Sequence, residues 1–211
     1  MQRIIIFANG EIPDLNKARR LLRSGDYIIC ADGGTRHALT LGVRPDLIIG
    51  DMDSAEKGQL EQLQKDGASM ELYPRDKNET DLELAIDRAI ELGPKEIVII
   101  AAVGGRLDQT LANITLLSDT HPSLDIRLDD GVEEIFFCRD QVEIHGSSGD
   151  IVSLIPWGGP VHGIQTQGLR WPLNDDTLYP EKTRGISNEM TGAAANVRIG
   201  LGLLLVVHRR S

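Results

Sequence analysis

The sequence predicts an α/β domain with a mostly parallel sheet, followed by a smaller all-β domain that forms a sandwich or barrel. Up to about residue 130, short β-branched runs alternate with amphipathic segments. After about residue 133, short strand-like runs are separated by glycine-rich turns. The first pattern is typical of a parallel sheet covered by helices, and the second is typical of an antiparallel sandwich or barrel. We place the boundary near Asp129-Asp130-Gly131, which gives domains 1–131 and 132–211.

The predicted strands of the first domain are continuously apolar, as expected for strands buried on both faces of a parallel sheet. They cover residues 3–8, 27–31, 47–49 and 97–101. Helices are predicted between them at about residues 15–23, 35–41, 55–65 and 108–117. The clearest helix follows Thr80, because Thr-Asp-Leu-Glu forms a capping box and Gly93-Pro94 ends the apolar stripe.

The second domain contains strand-like runs at residues 135–138, 141–145, 151–155, 161–166, 197–200 and 203–208. The stretch 191–196 is ambiguous, because it is the one part of this domain with a trace of helical periodicity. No internal repeat interrupts either pattern.

Charge and hydropathy exclude several classes of function. The formal net charge is −10, which disfavours a nucleic-acid backbone or an anionic membrane surface as partner. A polyanionic small molecule remains compatible if a metal ion offsets the repulsion. The sequence lacks a signal-peptide pattern and any apolar run of about 18 residues, so we expect a cytoplasmic protein.

Aspartates recur where the predicted strands end. Asp32, Asp51, Asp53 and Asp108 each follow a strand, and Asp81 lies in the first turn of the capped helix. Ligands of open α/β sheets gather at the carboxyl ends of the strands. A turn or capping role explains Asp32, Asp81 and Asp108 about as well as ligand binding does. The Asp-Met-Asp-Ser run is different, because two carboxylates in one tight turn repel each other unless they share a cation such as Mg²⁺.

Glycines and basic residues accompany these aspartates. Asn9-Gly10, Gly33-Gly34, Gly50 and Gly104-Gly105 fall at strand ends, where a missing side chain allows close approach of a phosphate. Neither a Walker A sequence nor G-x-G-x-x-G is present. Lys77 and Arg106, with Arg75 nearby, offer positive charge for phosphate. The first domain therefore predicts a Mg²⁺-nucleotide site.

Trp171 is the candidate ligand contact of the second domain. It lies in the non-helical segment Gly-Leu-Arg-Trp-Pro-Leu, ahead of Ser187-Asn188. An exposed indole is a suitable platform for a flat cationic heteroaromatic ring, although an indole that fills the core explains the pattern equally well. For Trp157 we expect a structural role. The histidines form no recognisable catalytic triad, so the sequence does not indicate nucleophilic catalysis.

Together these blocks resemble the thiamine pyrophosphokinase family. The specific ones are Pro-Asp-Leu-Ile-Ile-Gly-Asp-Met-Asp-Ser at 45–54 and Asp-Lys-Asn-Glu-Thr-Asp at 76–81. Ala-Asp-Gly-Gly at 31–34, Gly-Gly-Arg-Leu-Asp-Gln at 104–109 and the tryptophan block at 168–173 follow the family order, as does Ser187-Asn188. The resemblance covers almost the whole chain.

The resemblance implies a set of site residues. Catalysis would rest on Asp51, Asp53 and Asp81, and these residues would also bind Mg²⁺, with Asp46 close by. ATP would be bound by Asp32, Gly33, Gly34, Lys77, Asn78, Thr80, Gly105, Arg106, Asp108 and Gln109. Thiamine would meet Trp171, Ser187 and Asn188. The family pattern allows a histidine where this chain has Gln109, which leaves the role of that position open.

The resemblance also implies the reaction and the assembly. The pyrophosphoryl group of ATP would pass to the thiamine hydroxyl, giving thiamine diphosphate and AMP, and either Asp81 or Asp53 would orient the hydroxyl or take its proton. The family forms homodimers with the thiamine site at the subunit interface. Two alternatives remain: a pyrophosphokinase that acts on a pterin or another heteroaromatic alcohol, and a non-catalytic ATP or thiamine sensor.

Overall fold

The computed structural model describes residues 3–51 and 57–211. The chain divides between Gly131 and Val132 into two compact units. The first unit alternates strands and helices: β1 Arg3–Phe7, α1 Leu15–Arg19, β2 Tyr27–Ala31, α2 Thr35–Thr40, β3 Leu47–Gly50, α3 Lys57–Lys65, β4 Ser69–Leu72, α4 Asp81–Glu91, β5 Glu96–Ile100, α5 Leu107–Ser118 and β6 Asp125–Asp129.

The strands of the first unit lie in the order β4-β3-β2-β1-β5-β6. Their pairings are parallel, with Ile5 opposite Ile28 on β2 and opposite Val98 on β5. The chain moves outward from β1 through β2, β3 and β4, and then returns to the other side of β1 with β5. The carboxyl ends of β1 and β5 therefore form a topological switch point, where open α/β sheets bind their ligands.

Continuously apolar strands and an amphipathic helix form the core of this unit. Every residue of β1 is buried, and β5 is buried over Ile97–Ile100. The helix that begins after Thr80 directs Leu82, Ala85, Ile86 and Ala89 into the core at helical spacing. The predicted parallel α/β fold is confirmed.

Several boundaries differ from the predictions. Helix α1 ends at Arg19 rather than at residue 23, and the first residues of the predicted helix 55–65 lie outside the described part of the chain. Strands β4 and β6 were not predicted, because each is short and carries polar residues. Among the described helices, none is long and apolar enough to cross a membrane.

The second unit consists of antiparallel strands: β7 Glu133–Cys138, β8 Gln141–His145, β9 Ile151–Pro156, β10 Val161–Gln167, β11 Asn174–Leu178, β12 Asn188–Glu189, β13 Ala194–Arg198 and β14 Leu204–Arg209. One set lies in the order β12-β9-β14-β7 and the other in the order β11-β10-β13-β8. Both sets contribute to one buried core that includes Ile144, Val152, Ile164 and Val206.

The predicted all-β second domain is confirmed, with two differences. The ambiguous stretch 191–196 is not a helix, because residues 191–193 form a bend and residues 194–196 belong to β13. Strands β11 and β12 were missed, because β11 is rich in Asn and Asp, which are depleted in strands, and β12 has only two residues.

Candidate active site

A cleft of about 620 Å³ lies at the switch point of the first unit. Its volume is within the range of small-molecule sites. It is lined by residues that follow the strands and by residues at the starts of α4 and α5: Ala8, Asn9, Gly10, Glu11, Ala31, Asp32, Arg36, Asp51, Arg75, Lys77, Glu79, Thr80, Asp81, Leu82, Ala102, Gly104, Gly105, Arg106, Gln109 and Asn113.

The chain that follows β1 runs beside the chain that follows β5. The Gly10 N–H donates to the Ala101 carbonyl at 2.6 Å, and the Glu11 N–H donates to the Val103 carbonyl at 3.0 Å. A Cβ at Gly10 would lie 2.5 Å from the Ala101 oxygen. Only glycine permits this approach, which brings Glu11 into the cleft wall.

The exit of β2 carries Asp32 in a tight turn that leads into α2. Its φ is +39°, a conformation that costs a non-glycine residue about 1–3 kcal/mol. The Thr35 hydroxyl donates to the Asp32 carbonyl at 2.9 Å and fixes the turn. Gly34 packs so closely on β1 that a Cβ there would collide with the Phe7 carbonyl oxygen. The strain at Asp32 is therefore maintained by its surroundings.

Gly50, the last residue of β3, lies between two of the predicted aspartates. Its φ is +150°, and a Cβ there would lie 3.0 Å from Asp32 Cβ and 3.3 Å from Asp81 Cγ. The absence of a side chain allows carboxylates from two different elements to converge. Asp51 follows at once and lines the same cleft. Asp53 lies outside the described residues, so its role stays a prediction.

Asp81 opens α4. The side chain of Thr80 caps the helix by accepting from the Glu83 N–H at 3.1 Å, as the sequence predicted. Lys77 Nζ lies 2.9 Å from Asp81 Oδ1 and 3.2 Å from the Pro74 carbonyl oxygen. The buried Oδ1 of Asp81 accepts no hydrogen bond. The contact with Lys77 is thus an ion pair without hydrogen-bond alignment.

These carboxylates fit a Mg²⁺ ion that is shared with substrate phosphates. Across residues 3–51 and 57–211, no three Asp, Glu, His or Cys side chains form a complete metal cage. Mg²⁺ needs none, since it commonly takes one or two carboxylates and completes its octahedron with water and phosphate oxygens. The Asp81 oxygen that lacks a hydrogen bond is a group that such an ion would satisfy.

The structure does not bring Asp46 into this cluster. Asp46 precedes β3, whereas Asp51 follows it, so the two lie at opposite ends of a four-residue strand. At about 3.3 Å per residue, that strand separates them by more than 10 Å. The Asp46 carboxylate instead accepts from the Ile28 N–H at 2.7 Å. We therefore remove Asp46 from the predicted metal site.

Arg106 and Asp108 form an exposed ion pair at the start of α5. Arg106 Nε donates to Asp108 Oδ1 at 3.1 Å, and Nη2 contacts Oδ2. The hydrogen bonds to Arg106 lower the pKa of Asp108, and the same bonds raise the pKa of Arg106. Arg106 lines the cleft together with Gly105 and Gln109. Asp108 is thus a partner of the arginine in the free protein.

The cleft is lined by six of the ten predicted nucleotide residues, namely Asp32, Lys77, Thr80, Gly105, Arg106 and Gln109. The other four, Gly33, Gly34, Asn78 and Asp108, are not among its lining residues. The cleft also contains residues that the sequence had not assigned to the site, namely Glu11, Arg36, Glu79 and Asn113. Glu11 could have been found, because it follows a strand just as the aspartates do. Arg36 and Asn113 lie on helices and carried no local signal.

In the second unit, the Trp171 side chain is 53% exposed, which excludes the alternative that it fills the core. The Arg170 guanidinium carbon lies 4.9 Å from the centroid of the indole ring. Arg170 is held there by Glu189 at 2.8 Å. Trp157, by contrast, packs edge-on against Phe137 with ring centroids 5.5 Å apart, as a structural residue would.

The two polar residues that were predicted to meet thiamine differ in exposure. Ser187 is exposed, with φ +56°, and its N–H donates to Ser153 Oγ at 3.0 Å. Asn188 is 6% exposed, and its amide bonds the backbone of Trp171. The structure thus brings Asn188 together with Trp171.

Fold and cleft together define a two-domain protein of the α/β and all-β class, with a small-molecule cleft at the switch point of a doubly wound sheet. Comparison with known proteins narrows this class. The profile of the thiamin pyrophosphokinase catalytic domain matches residues 18–128, and that of the vitamin B1 binding domain of the same enzymes matches residues 140–204.

Relatives that match over most of their length agree. The chain is 31% identical over 182 residues to a Bacillus subtilis thiamine pyrophosphokinase, covering 85% of each sequence. It also resembles the crystal structure of the thiamine pyrophosphokinase from Bacillus subtilis, with 27% identity, a TM-score of 0.88 and complete coverage of both chains. A Geobacillus thermodenitrificans structure, at 24% identity and a TM-score of 0.86 over 100% of this chain and 98% of that one, shows the same fold.

The chain belongs to the thiamin pyrophosphokinase family. The family resemblance drawn from the sequence motifs is therefore confirmed, as is the prediction that the protein is an enzyme.

Proposed function

We propose that the protein transfers the pyrophosphoryl group of ATP to the hydroxyl of thiamine, with Mg²⁺, to give thiamine diphosphate and AMP. One observation carries the proposal in the first unit. Asp81 places a buried carboxylate oxygen without a hydrogen bond in the same cleft as Asp51, beside Lys77 and glycine-lined turns. Carboxylate, ammonium and open backbone are the groups that Mg²⁺-assisted phosphoryl transfer requires.

Each side chain has a defined role in this proposal. Asp51 and Asp81, with Asp53, would hold Mg²⁺, which would neutralise phosphate charge when bound. Lys77 would exchange its contact with Asp81 for a phosphate oxygen. Arg106 would release Asp108 in the same way and offer its planar fork to phosphate. In the free site Lys77 and Arg106 are thus each paired with a carboxylate, and they would exchange these ion pairs for contacts with the substrate.

The transfer makes one bond and breaks one. The thiamine hydroxyl oxygen attacks the β-phosphorus, the bond from that phosphorus to the bridging oxygen of the α-phosphate breaks, and AMP leaves with that oxygen. The hydroxyl proton passes to a carboxylate, for which Asp81 and Asp53 are the candidates. Most of the rate enhancement would come from positioning and charge neutralisation, as in other phosphoryl transfers.

Trp171 would supply the platform for thiamine. Because Arg170 already lies over the indole ring, a second cation on that ring is disfavoured. The neutral pyrimidine ring of thiamine is therefore the better partner for the open face than the thiazolium that the sequence suggested. Ser187, which is exposed next to this segment, offers a hydroxyl for a ring nitrogen or amino group.

We further propose that the enzyme works in the cytoplasm as a homodimer with the thiamine site at the subunit interface. The homodimer and its interface site rest on the family resemblance, and the cytoplasmic location rests on the lack of an apolar run of about 18 residues in the sequence. Light scattering coupled to gel filtration measures the mass directly, and a monomer of 23.1 kDa at assay concentration would contradict it.

The reaction is tested by incubating the protein with ATP, Mg²⁺ and thiamine. AMP and thiamine diphosphate should appear in equal amounts, whereas ADP and thiamine monophosphate would refute pyrophosphoryl transfer. Hydroxymethylpterin in place of thiamine tests the alternative acceptor, and binding of thiamine without any turnover would indicate a sensor.

The metal assignment needs a separate test. Asp81→Asn should abolish turnover and weaken Mn²⁺ binding measured by electron paramagnetic resonance. Asp87→Asn, an exposed residue on the same helix, is the matched control and should change neither. Asp53→Asn should behave as Asp81→Asn does, and near-normal activity in that variant would refute the metal role of Asp53.

A further inference from the structure

The segment that carries Trp171 is fixed at its flanks but exposed at its centre. Leu169 and Leu173 are 5% and 6% exposed and belong to the core of the second unit, whereas Trp171 between them is 53% exposed. The short segment between these two core residues must therefore direct a large aromatic side chain toward solvent. Its backbone N–H and C=O groups need hydrogen-bond partners, because backbone groups near a core must be hydrogen-bonded.

Asn188 provides that support. Its Oδ1 accepts from the Trp171 N–H at 3.0 Å, and its Nδ2 donates to the Trp171 carbonyl at 2.7 Å. The amide thus satisfies both backbone groups of one residue. The same Oδ1 also accepts from the Glu189 N–H at 2.9 Å. A side-chain amide has two acceptor lone pairs and two N–H donors, so Asn188 retains at most one N–H for any other partner.

The indole ring is held separately. Arg170 Nη1 donates to Glu189 Oε2 at 2.8 Å, and the Arg170 N–H donates to the Glu189 carbonyl at 2.9 Å. The guanidinium that these contacts fix lies 4.9 Å from the ring centroid of Trp171. The two-residue strand β12, Asn188–Glu189, therefore holds the backbone of Trp171 through its first residue and the ring through its second.

From these contacts we infer that Asn188 is a positioning residue, which acts on thiamine by fixing the Trp171 platform and not by contacting the ligand. This inference rests on the proposed function of Trp171, and it replaces the direct thiamine contact that the resemblance implied for Asn188. The side-chain amide of Asn188 is nearly inaccessible to a ligand, since Asn188 is 6% exposed.

The fluorescence of Trp171 measures the effect of Asn188 on the indole ring. The chain has two tryptophans, so Trp157→Phe leaves Trp171 as the single indole and preserves an aromatic contact with Phe137. In this background, Asn188→Ala should lower the fluorescence anisotropy of Trp171 and increase its quenching by acrylamide before any ligand is added. Thiamine binding should weaken about tenfold, as expected from losing about one net hydrogen bond, while binding of an ATP analogue stays unchanged.

The matched control is Asn196→Ala, an exposed asparagine on β13, which should alter none of these signals. Asn188→Asp is the second variant in case the alanine variant does not fold. It keeps the acceptor for the Trp171 N–H but sets an oxygen against the Trp171 carbonyl, so it too should increase quenching.

Two results would overturn the inference. One is weakened thiamine binding with the fluorescence of the free protein unchanged, because that pattern belongs to a direct ligand contact. The other is an Asn188 variant in which neither signal changes. If the parent protein failed to bind thiamine at all, the proposed function would fail, whereas the effect of Asn188 on the free indole would still be measured.

Discussion

Gly50 offers a sharp test of how the site is assembled, because the Gly50→Ala substitution adds one methyl group between Asp32 and Asp81. The new Cβ would lie 3.0 Å from Asp32 Cβ and 3.3 Å from Asp81 Cγ, where carbon atoms prefer about 3.5–4.0 Å. The φ of +150° adds strain of its own. Overpacking and backbone strain each cost about 1–3 kcal/mol, so we expect the free energy of unfolding to fall by about 2–6 kcal/mol.

The effect on activity follows from the displacement of the Asp32 and Asp81 side chains. Each carboxylate must move by a few tenths of an ångström, and misplacement of about 1 Å can cost 100-fold in rate. We therefore expect kcat to fall by about four- to tenfold. Unfolding in urea, followed by far-ultraviolet circular dichroism, measures stability, and initial rates of AMP release measure kcat.

Gly25→Ala separates strain from displacement. Gly25 also has a positive φ, +89°, but a Cβ there meets nothing within 4 Å. This variant should lose stability through strain alone and keep its activity. If Gly50→Ala lost no more stability than Gly25→Ala and kept its full kcat, the convergence of the two carboxylates at Gly50 would have no functional weight.

Two further predictions concern charges in each unit. Lys77→Gln should weaken ATP binding by about tenfold or more, which is the effect of losing a hydrogen bond to a charged group. The same variant should strengthen Mn²⁺ binding to the free protein, because Asp81 loses its competing cation. Unchanged Mn²⁺ binding would contradict the proposal that Lys77 exchanges Asp81 for a phosphate oxygen. Burial opposes ionisation of Asp150, but N–H donors of Ser211 and Ser147 outweigh it and lower its pKa to about 2. Because the unfolded pKa is about 3.9, this stabilisation is present above pH 4 and is lost as pH falls toward 2. Asp150→Asn should therefore destabilise the second unit at pH 7 and hardly at pH 2, as tryptophan fluorescence in urea would measure; an equal loss at both values would contradict the assignment.

Local patterns predicted most of the elements. Continuous apolar runs gave the buried strands of the first unit, and the Thr80 cap gave the start of α4, because both signals depend on residues close in sequence. The missed strands β4, β6, β11 and β12 are short or polar, so their pairing partners decide them more than their own residues do.

The candidate site divides in the same way. The rule that ligands gather where parallel strands end identified Asp32, Asp51 and Arg106 without coordinates. The same rule, applied to the residues after β1, would also have found Glu11. The rule also argues against the metal role that the resemblance implied for Asp46, because Asp46 precedes the predicted strand at 47–49 and Asp51 follows it.

The sequence by itself determined the two-domain α/β and all-β architecture, the family, and the strand exits at which phosphate chemistry is expected. Only the tertiary structure decided which of these groups meet: the convergence of carboxylates at Gly50, the close approach of Gly10 to Ala101, and the hydrogen bonds of Asn188 to Trp171. The physical reason is the separation in sequence between the residues that interact. Secondary structure and motifs follow from neighbours along the chain, whereas each of these contacts depends on where the folded backbone directs its side chains.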